Sequence, residues 1–396
     1  MRIGIVGCGV AGQASAIALA RAGHEVHVFE RFETARPLGA GLLLQPSGLS
    51  ALTRLGLRDQ AEHWGASVSE LDGRIASGKR VLDLAYGSGE HGLGIHRGAL
   101  FQILHDAVLT SGTRLHLNFE VTNFENFAAP VVVSKSGERE GPFDLLIDCA
   151  GAHDVLRNAL GIRVHAPVYP WGAFWTTCPD RTAQFEGKLR QMYERAHIMM
   201  GVLPIGRVPG GTNEFPLVAF FWSLRLADRE KEQAEGLDVL KERAISAWPA
   251  AEPIIREISR LEDLSFATYR DVALSDWRRD RVIVIGDAAH GTSPQLGQGA
   301  NLALIDSVML AHHLSRERDI DAALRDFHRG RRSHIRFYRW ASRAMTPAFQ
   351  SDSKIIPWLR DTFLPYANLL PGGRYMTRTT LSGVRKFPLG KWKLPD

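Results

Sequence analysis

Two glycine-rich stretches hold most of the chemistry this chain can offer. The first is Gly7-Cys8-Gly9-Val10-Ala11-Gly12, placed after the short apolar run Arg2 to Val6. Helix formers follow from Gln13 to Arg21, Gly23 ends them, and "HEVHVFER" reads as a second strand closing on Glu30. In this setting Gly7 permits a tight turn, Gly9 lets the backbone approach a pyrophosphate, and Gly12 allows helix and strand to pack closely. The helix start turns free N–H groups and its positive dipole end to the phosphates. Glu30 stands where an acid accepts hydrogen bonds from an adenosine ribose. Together these features predict a dinucleotide site; a tight βα turn in some other α/β protein is the alternative.

The second stretch, "GDAAHGTSPQLGQGAN" at 286 to 301, follows the apolar run Val282 to Ile285. A simple NAD dehydrogenase has no need of it. FAD is longer, and its ribityl chain and isoalloxazine must be held beyond the pyrophosphate. Asp287, at a strand end, is placed to accept from ribityl hydroxyls. Gly297 to Asn301 opens a helix predicted over Ala300–Leu314. Its free N–H groups face the flavin edge on which negative charge develops during reduction.

These motifs need a scaffold, and the composition supplies one. With 396 residues, 45% hydrophobic and 23% charged, the chain reads as a globular protein of two interleaved domains. The net charge of +5 resides from Arg374 onward, where six basic residues face one acid. A neutral body argues against nucleic-acid binding; the basic tail reads as a solvated end, with a weak membrane-surface or partner contact as the alternative. Three widely spaced cysteines fit a reducing, cytoplasmic setting rather than disulfides or a metal. The first residues imitate a signal peptide, but three glycines and Arg21 break the apolar core, so they read as folded protein. His290, His312 and His313 lack a metal spacing.

At this point the chain resembles the class A flavoprotein monooxygenases, the para-hydroxybenzoate hydroxylase family. The likeness covers roughly 1 to 345 and rests on "GCGVAG" with Glu30, "GAGLLLQPSGLSALTRLGL" at 39 to 57, "IHRGALFQIL" at 95 to 104 and "RVIVIGDAAHGTSPQLGQGANLALIDS" at 281 to 307. The resemblance implies a non-covalently held FAD. Arg97 would contact its pyrophosphate, Asp287 its ribityl chain, and the backbone of Gly297, Gly299, Ala300 and Asn301 its isoalloxazine. It adds Ala11, Arg31, Leu43 and Val121 to the cofactor side. NADH or NADPH would reduce the flavin, O2 would form a C4a-hydroperoxide, and an electron-rich aromatic or enol would be hydroxylated. The chain departs from the family where "FDLLIDCAG" normally ends in Asp-Gly. Here Ala150 replaces the Asp, Gly151 and Arg157 are kept, and the nicotinamide lacks one anchor.

The implied fold class is α/β. A Rossmann-like FAD-binding domain (1–70, 95–165 and 276–345) is interleaved with a mostly antiparallel β-sheet substrate domain (71–94 and 166–275). A helical segment and basic tail (346–396) complete the chain. "VYPWGAFWTTC", "HIMMGVLPIGRV" and "FPLVAFFWSLR" read as aromatic-rich strands. In the last, Val218, Phe220 and Trp222 share one face and Leu217, Ala219 and Phe221 the other. Two apolar faces mean that both are covered, and in this family one of them roofs the flavin. Met200, Phe220 and Trp222 are assigned to the substrate wall, Pro294 and Gln295 to its floor and Gln45 to its rim. Plain sheet core is the alternative for the aromatics. No Ser/His/Asp arrangement is evident, which suits chemistry carried by a cofactor. Rival functions are a flavin-dependent dehydrogenase or reductase, a membrane-associated quinone-pathway hydroxylase, and a non-catalytic flavin-binding protein. A monomer or homodimer is expected.

Overall fold

In a computed structural model of the chain, residues 1–35, 40–154, 156–212, 214–388 and 390–395 are described. Gly39, the first residue of one family stretch, lies outside them. Strand β1 (Arg2–Val6), helix α1 (Val10–Arg21) and strand β2 (Glu25–Phe29) form as the spacing predicts. Ile3 and Ile5 of β1 are inaccessible to solvent, while the alanines of α1 let helix and strand approach closely.

Strands β3 (Leu145–Asp148) and β4 (Val282–Val284) complete the central sheet with β1 and β2. Its order is 278–279, β4, β3, β1, β2, 114–116, and all neighbours are parallel except the 278–279 edge. The carboxyl ends of β1, β3 and β4 therefore meet along one edge, and each is followed by a glycine-bearing turn. Ligands of open α/β sheets bind at such an edge.

Helix α2 (Gly299–Arg316) is two residues longer at its C-terminal end, and one at its start, than the sequence suggests. It is buried from Asn301 to Ala311 and mostly apolar, with Asn301, Asp306 and Ser307 each hydrogen-bonded inside the protein. Helix α3 (Ile320–Phe349) packs beside it. The expected division after residue 345 falls inside α3, because the helix continues through Pro347 to Phe349.

A second sheet of seven strands has the order 265–270, 168–179, 217–225, 198–206, 188–194, 70–75, 80–85. Only the pair 188–194 and 70–75 is parallel. Strand Gly41–Leu44 pairs with Gly92–His96 in a separate three-stranded sheet that lies between the two large ones.

Candidate functional site

Gly7 has φ +98°, and a Cβ there would come 2.8 Å from the Cys149 carbonyl oxygen. A Cβ on Gly12 would lie 1.9 Å from the Gly7 carbonyl oxygen, so only glycine lets α1 follow β1 this closely. Gly9 differs: a Cβ there meets nothing within 4 Å. Its backbone faces open space. The first intrahelical bond runs from the Gln13 N–H to the Gly9 carbonyl, which leaves the preceding N–H groups outside the helical ladder.

Glu30 closes the turn from the other side. One of its oxygens accepts from the Cys8 N–H at 2.9 Å and the other from the Phe32 N–H at 3.1 Å. A carboxylate offers about four lone-pair sites, so both oxygens keep capacity for ribose hydroxyls. Burial, with Glu30 beside it, pushes the Cys8 thiol up to about 12, so this thiol stays protonated. Ala11 is packing rather than contact surface, its methyl lying 3.0 Å from the Cβ position of Gly286. Arg31 is exposed with its guanidinium over the Phe32 ring, and Val121 packs half-buried in the cluster that contains Phe29 and Phe119. Arg97 is exposed at the first position of helix Arg97–Thr110, its N–H donating to Ala40 at 2.9 Å.

The second glycine turn is clamped from two directions. The Gly286 N–H donates to Asp306 Oδ2 at 3.0 Å, and that oxygen also meets His290 Nε2 at 2.6 Å. Arg331 Nε donates to Asp306 Oδ1 at 2.8 Å. Burial alone would raise the Asp306 carboxyl; His290 and Arg331 outweigh it and hold the group at about 2. From the opposite side Arg157 donates to the carbonyls of Ala288 (2.8 Å) and Ala152 (3.0 Å). With its neighbours so fixed, Asp287 stands exposed, and the Cβ position of Gly299 lies 3.4 Å from its Oδ1. The carboxylate and the start of α2 thus face the same space.

Asn301 reaches that space through the backbone it holds. Its amide donates to the carbonyls of Leu43 (3.2 Å) and Gly297 (2.9 Å) and accepts from the Gln45 N–H at 2.8 Å. Its role is to fasten strand 41–44 to the Gly297 turn (φ +59°). The Gln45 carbonyl accepts from the Leu49 N–H at 3.0 Å, while its side chain reaches away: Oε1 accepts from the Tyr86 hydroxyl at 2.6 Å, and Nε2 lies 3.8 Å from the Cβ position of Gly297. Pro294 opens a 3-10 turn anchored to α3. Ser293 Oγ meets Ser342 Oγ and Thr346 Oγ1 at 2.8 Å, and Gln295 donates to Gln350 at 2.8 Å.

The assignment of Met200, Phe220 and Trp222 to the substrate wall is corrected. All three point away from the glycine turns, into a core under helices Leu237–Ala247 and Glu252–Arg256 that includes Leu240, Ala244 and Ile254. Trp222 also borders a cavity of about 140 Å³ on that far side, with Trp171 and His197. Both faces of the strand are apolar, and side chains alternate, so the strand alone cannot say which face looks inward. The opposite face does: Ala219 and Phe221, with Leu203, Ile205 and Tyr193, pack toward Leu43 and Phe349.

Several residues escaped sequence reasoning. Trp175, partly buried on the inner face, donates its Nε1 hydrogen to the Tyr269 hydroxyl at 3.0 Å. Burial raises the Tyr269 phenol above its ordinary range, opposed by the Trp175 hydrogen bond and then by the nearby Arg97 charge. Tyr269 therefore remains a phenol, and among the described residues its proton has no acceptor. Alternation in "SFATYR" was a usable signal for it. Asp154 caps the turn after Gly151 through the N–H groups of Leu156 and Arg157, while His153 accepts from Arg270 at 3.1 Å. Asp154 is thus spent on structure and cannot replace the acid absent at Ala150, which is itself exposed.

The residues fit a dinucleotide with an extension. The open space at Gly9, the same openness at Gly151 and the exposed Asp287 over the α2 start form one cradle. The model of a family described as "FAD binding domain" matches residues 1–335. The chain is 28% identical over 329 residues to the aurachin C monooxygenase/isomerase of Stigmatella aurantiaca, covering 81% of this chain and 82% of that one. It is 27% identical over 337 residues to the 3-hydroxybenzoate 6-hydroxylase of Klebsiella oxytoca, covering 82% of each. Among solved structures, the tetrameric form of 2-methyl-3-hydroxypyridine-5-carboxylic acid oxygenase superposes with a TM-score of 0.81 at 20% identity, over 100% of this chain and 99% of the other.

Proposed function

Because the chain belongs to the FAD binding domain family, the class A flavoprotein monooxygenases, we propose that its two glycine turns and the inner face of its seven-stranded sheet enclose a hydroxylated, electron-rich aromatic ring. The protein is an FAD-dependent monooxygenase of the aromatic hydroxylase type, using NAD(P)H and O2. The carrying observation is strand Gly41–Leu44, fastened by Asn301 to the α2 start beside Asp287 and packed through Leu43 on the apolar sheet face of Leu203, Ile205 and Ala219. Two relatives support the ring chemistry, since their names specify hydroxylated six-membered aromatic carboxylates.

When bound, FAD supplies hydride acceptance and oxygen transfer. The chain's residues do the rest. Glu30 would accept from the ribose and Asp287 from the ribityl hydroxyls. The N–H groups at the start of α2 would offer partial positive charge to the flavin's electron-rich edge. Phe221, Trp175 and their neighbours exclude water. The Tyr269 phenol, held by Trp175, donates toward a polar group on the substrate ring. With Ala at 150, the chain offers NAD(P)H one acidic anchor fewer, and its binding would be weak.

No helix among the described residues is long and apolar enough to cross a membrane. A monomer or homodimer remains our reading of the assembly, and light scattering measures it. The function is tested by adding phenols, hydroxypyridines and hydroxybenzoates to the purified yellow protein. Stimulated NAD(P)H oxidation with an equivalent of hydroxylated product supports it; oxidation of the substrate without oxygen incorporation would identify a dehydrogenase instead.

A further inference from the structure

Nine of the fifteen large hydrophobic side chains that stand exposed among the described residues fall between Ile355 and Tyr375. They include Trp358 (61% exposed), Phe363 (62%), Leu369 (70%) and Leu370 (66%). The segment is helix Ile355–Phe363, the 3-10 turn Leu364–Leu369 and the first half of helix Gly373–Leu381. Single exposed apolar residues need no explanation, but a contiguous run marks an interaction surface.

The charges around it choose the partner. From 355 to 373 only Arg360 and Asp361 are ionisable as charged side chains, and they bond each other at 2.8 Å, with Arg360 buried under Ala348. Beyond the ends stand Lys354, Arg374 and Arg378, all exposed and without an ion pair among the described residues. Of the acids beside the segment, Asp352 is paired with Arg225 and Asp83 with Arg80, while Glu90 accepts from the Ser382 hydroxyl at 3.0 Å. A two-fold contact between copies sets a patch against itself and would bring these unpaired cations together. A layer of lipid phosphates would instead neutralise them, while Trp358 and Tyr366 suit the boundary between headgroups and chains.

We propose that residues 354–378 form a docking surface for an anionic lipid bilayer, lying in its plane without crossing it. Leu364 packs from this segment into the cluster of Tyr193, Phe221 and Phe349. A docked bilayer would therefore lie behind the apolar wall assigned above to the aromatic substrate; the docking itself does not depend on that reading.

The test is flotation of the full FAD-loaded chain with phosphatidylcholine vesicles, with and without phosphatidylglycerol. Wild type should float with the anionic vesicles and be released by salt. The pair Trp358→Ser and Phe363→Ser should lower partitioning at least about tenfold. Arg374→Gln and Arg378→Gln should each lower it about fivefold. Substrate-stimulated NAD(P)H oxidation in solution should be unchanged in all four variants, which also shows that they fold. Failure of wild type to float overturns the proposal, as does flotation that survives both pairs. A wild type that does not float but is dimeric by light scattering, and becomes monomeric with Trp358→Ser and Phe363→Ser, assigns the surface to a second copy of the chain.

Discussion

Asp287 is exposed and makes no side-chain bond that the fold depends on, whereas Asp306 is buried against His290 and Arg331. The two carboxylates should therefore fail differently. Asp287→Ala removes a charge-assisted acceptor worth about 1.5–3 kcal/mol and should weaken FAD about tenfold to hundredfold, with the unfolding midpoint of the apoprotein unmoved. Flavin fluorescence titration beside urea denaturation reads both quantities; full FAD affinity in the variant would remove Asp287 from the site. Asp306→Ala strands the fully buried Arg331 guanidinium and should cost about 3–5 kcal/mol of stability. Tyr269→Phe deletes one donor while leaving ring and packing in place. It should raise the substrate KM with unchanged FAD affinity, and steady-state kinetics showing an unchanged KM would exclude contact with substrate.

At the level of elements, the glycines of the first turn separate folding from binding. Gly12→Ala has no room beside the Gly7 carbonyl and should destabilise the apoprotein, whereas Gly9→Ala opens onto free space. Gly9→Ala should fold with a normal melting temperature and bind FAD more weakly; normal affinity would mean that no phosphate passes there. Both turns were legible in the sequence because their spacing is local and each follows its own strand. The orientation of the large sheet was not. Val218 to Leu224 is apolar on both faces, and the deciding fact lies in a different segment, where the apolar side of 237–258 must be buried against one of them. Likewise the Asp306–Arg331 and Trp175–Tyr269 pairs join elements that no periodicity connects. The corrected orientation predicts that Phe220→Ala loses about 3–5 kcal/mol of stability without altering substrate KM.

For the whole molecule, acid should be the sensitive direction. Eight histidines, His334 furthest, are pushed below the ordinary range, chiefly by burial. Their folded forms bind fewer protons than the unfolded chain, so their contribution is complete above the ordinary histidine range and is lost as pH falls through it. Asp306 adds a second loss lower down, between the ordinary carboxylate range and about 2. Asp148, raised by burial and by Asp154, runs the other way but is one group against many. Differential scanning fluorimetry should show the melting temperature falling by several degrees from pH 7 to pH 5. His334→Gln should flatten that slope, since His334 is locked between Arg331 and the Gly383 carbonyl at 2.9 Å. The same wide spacing of parts has a consequence in time. Glu30 leaves the ribosome long before Asp306, and at about 5–20 residues per second the gap is roughly 15–55 s. Throughout that interval β1 is without β4 and α1 without α2, so the N-terminal turn waits, half-built, for the segment that completes it; a nascent chain halted before residue 286 should be readily cut by protease even when flavin is abundant.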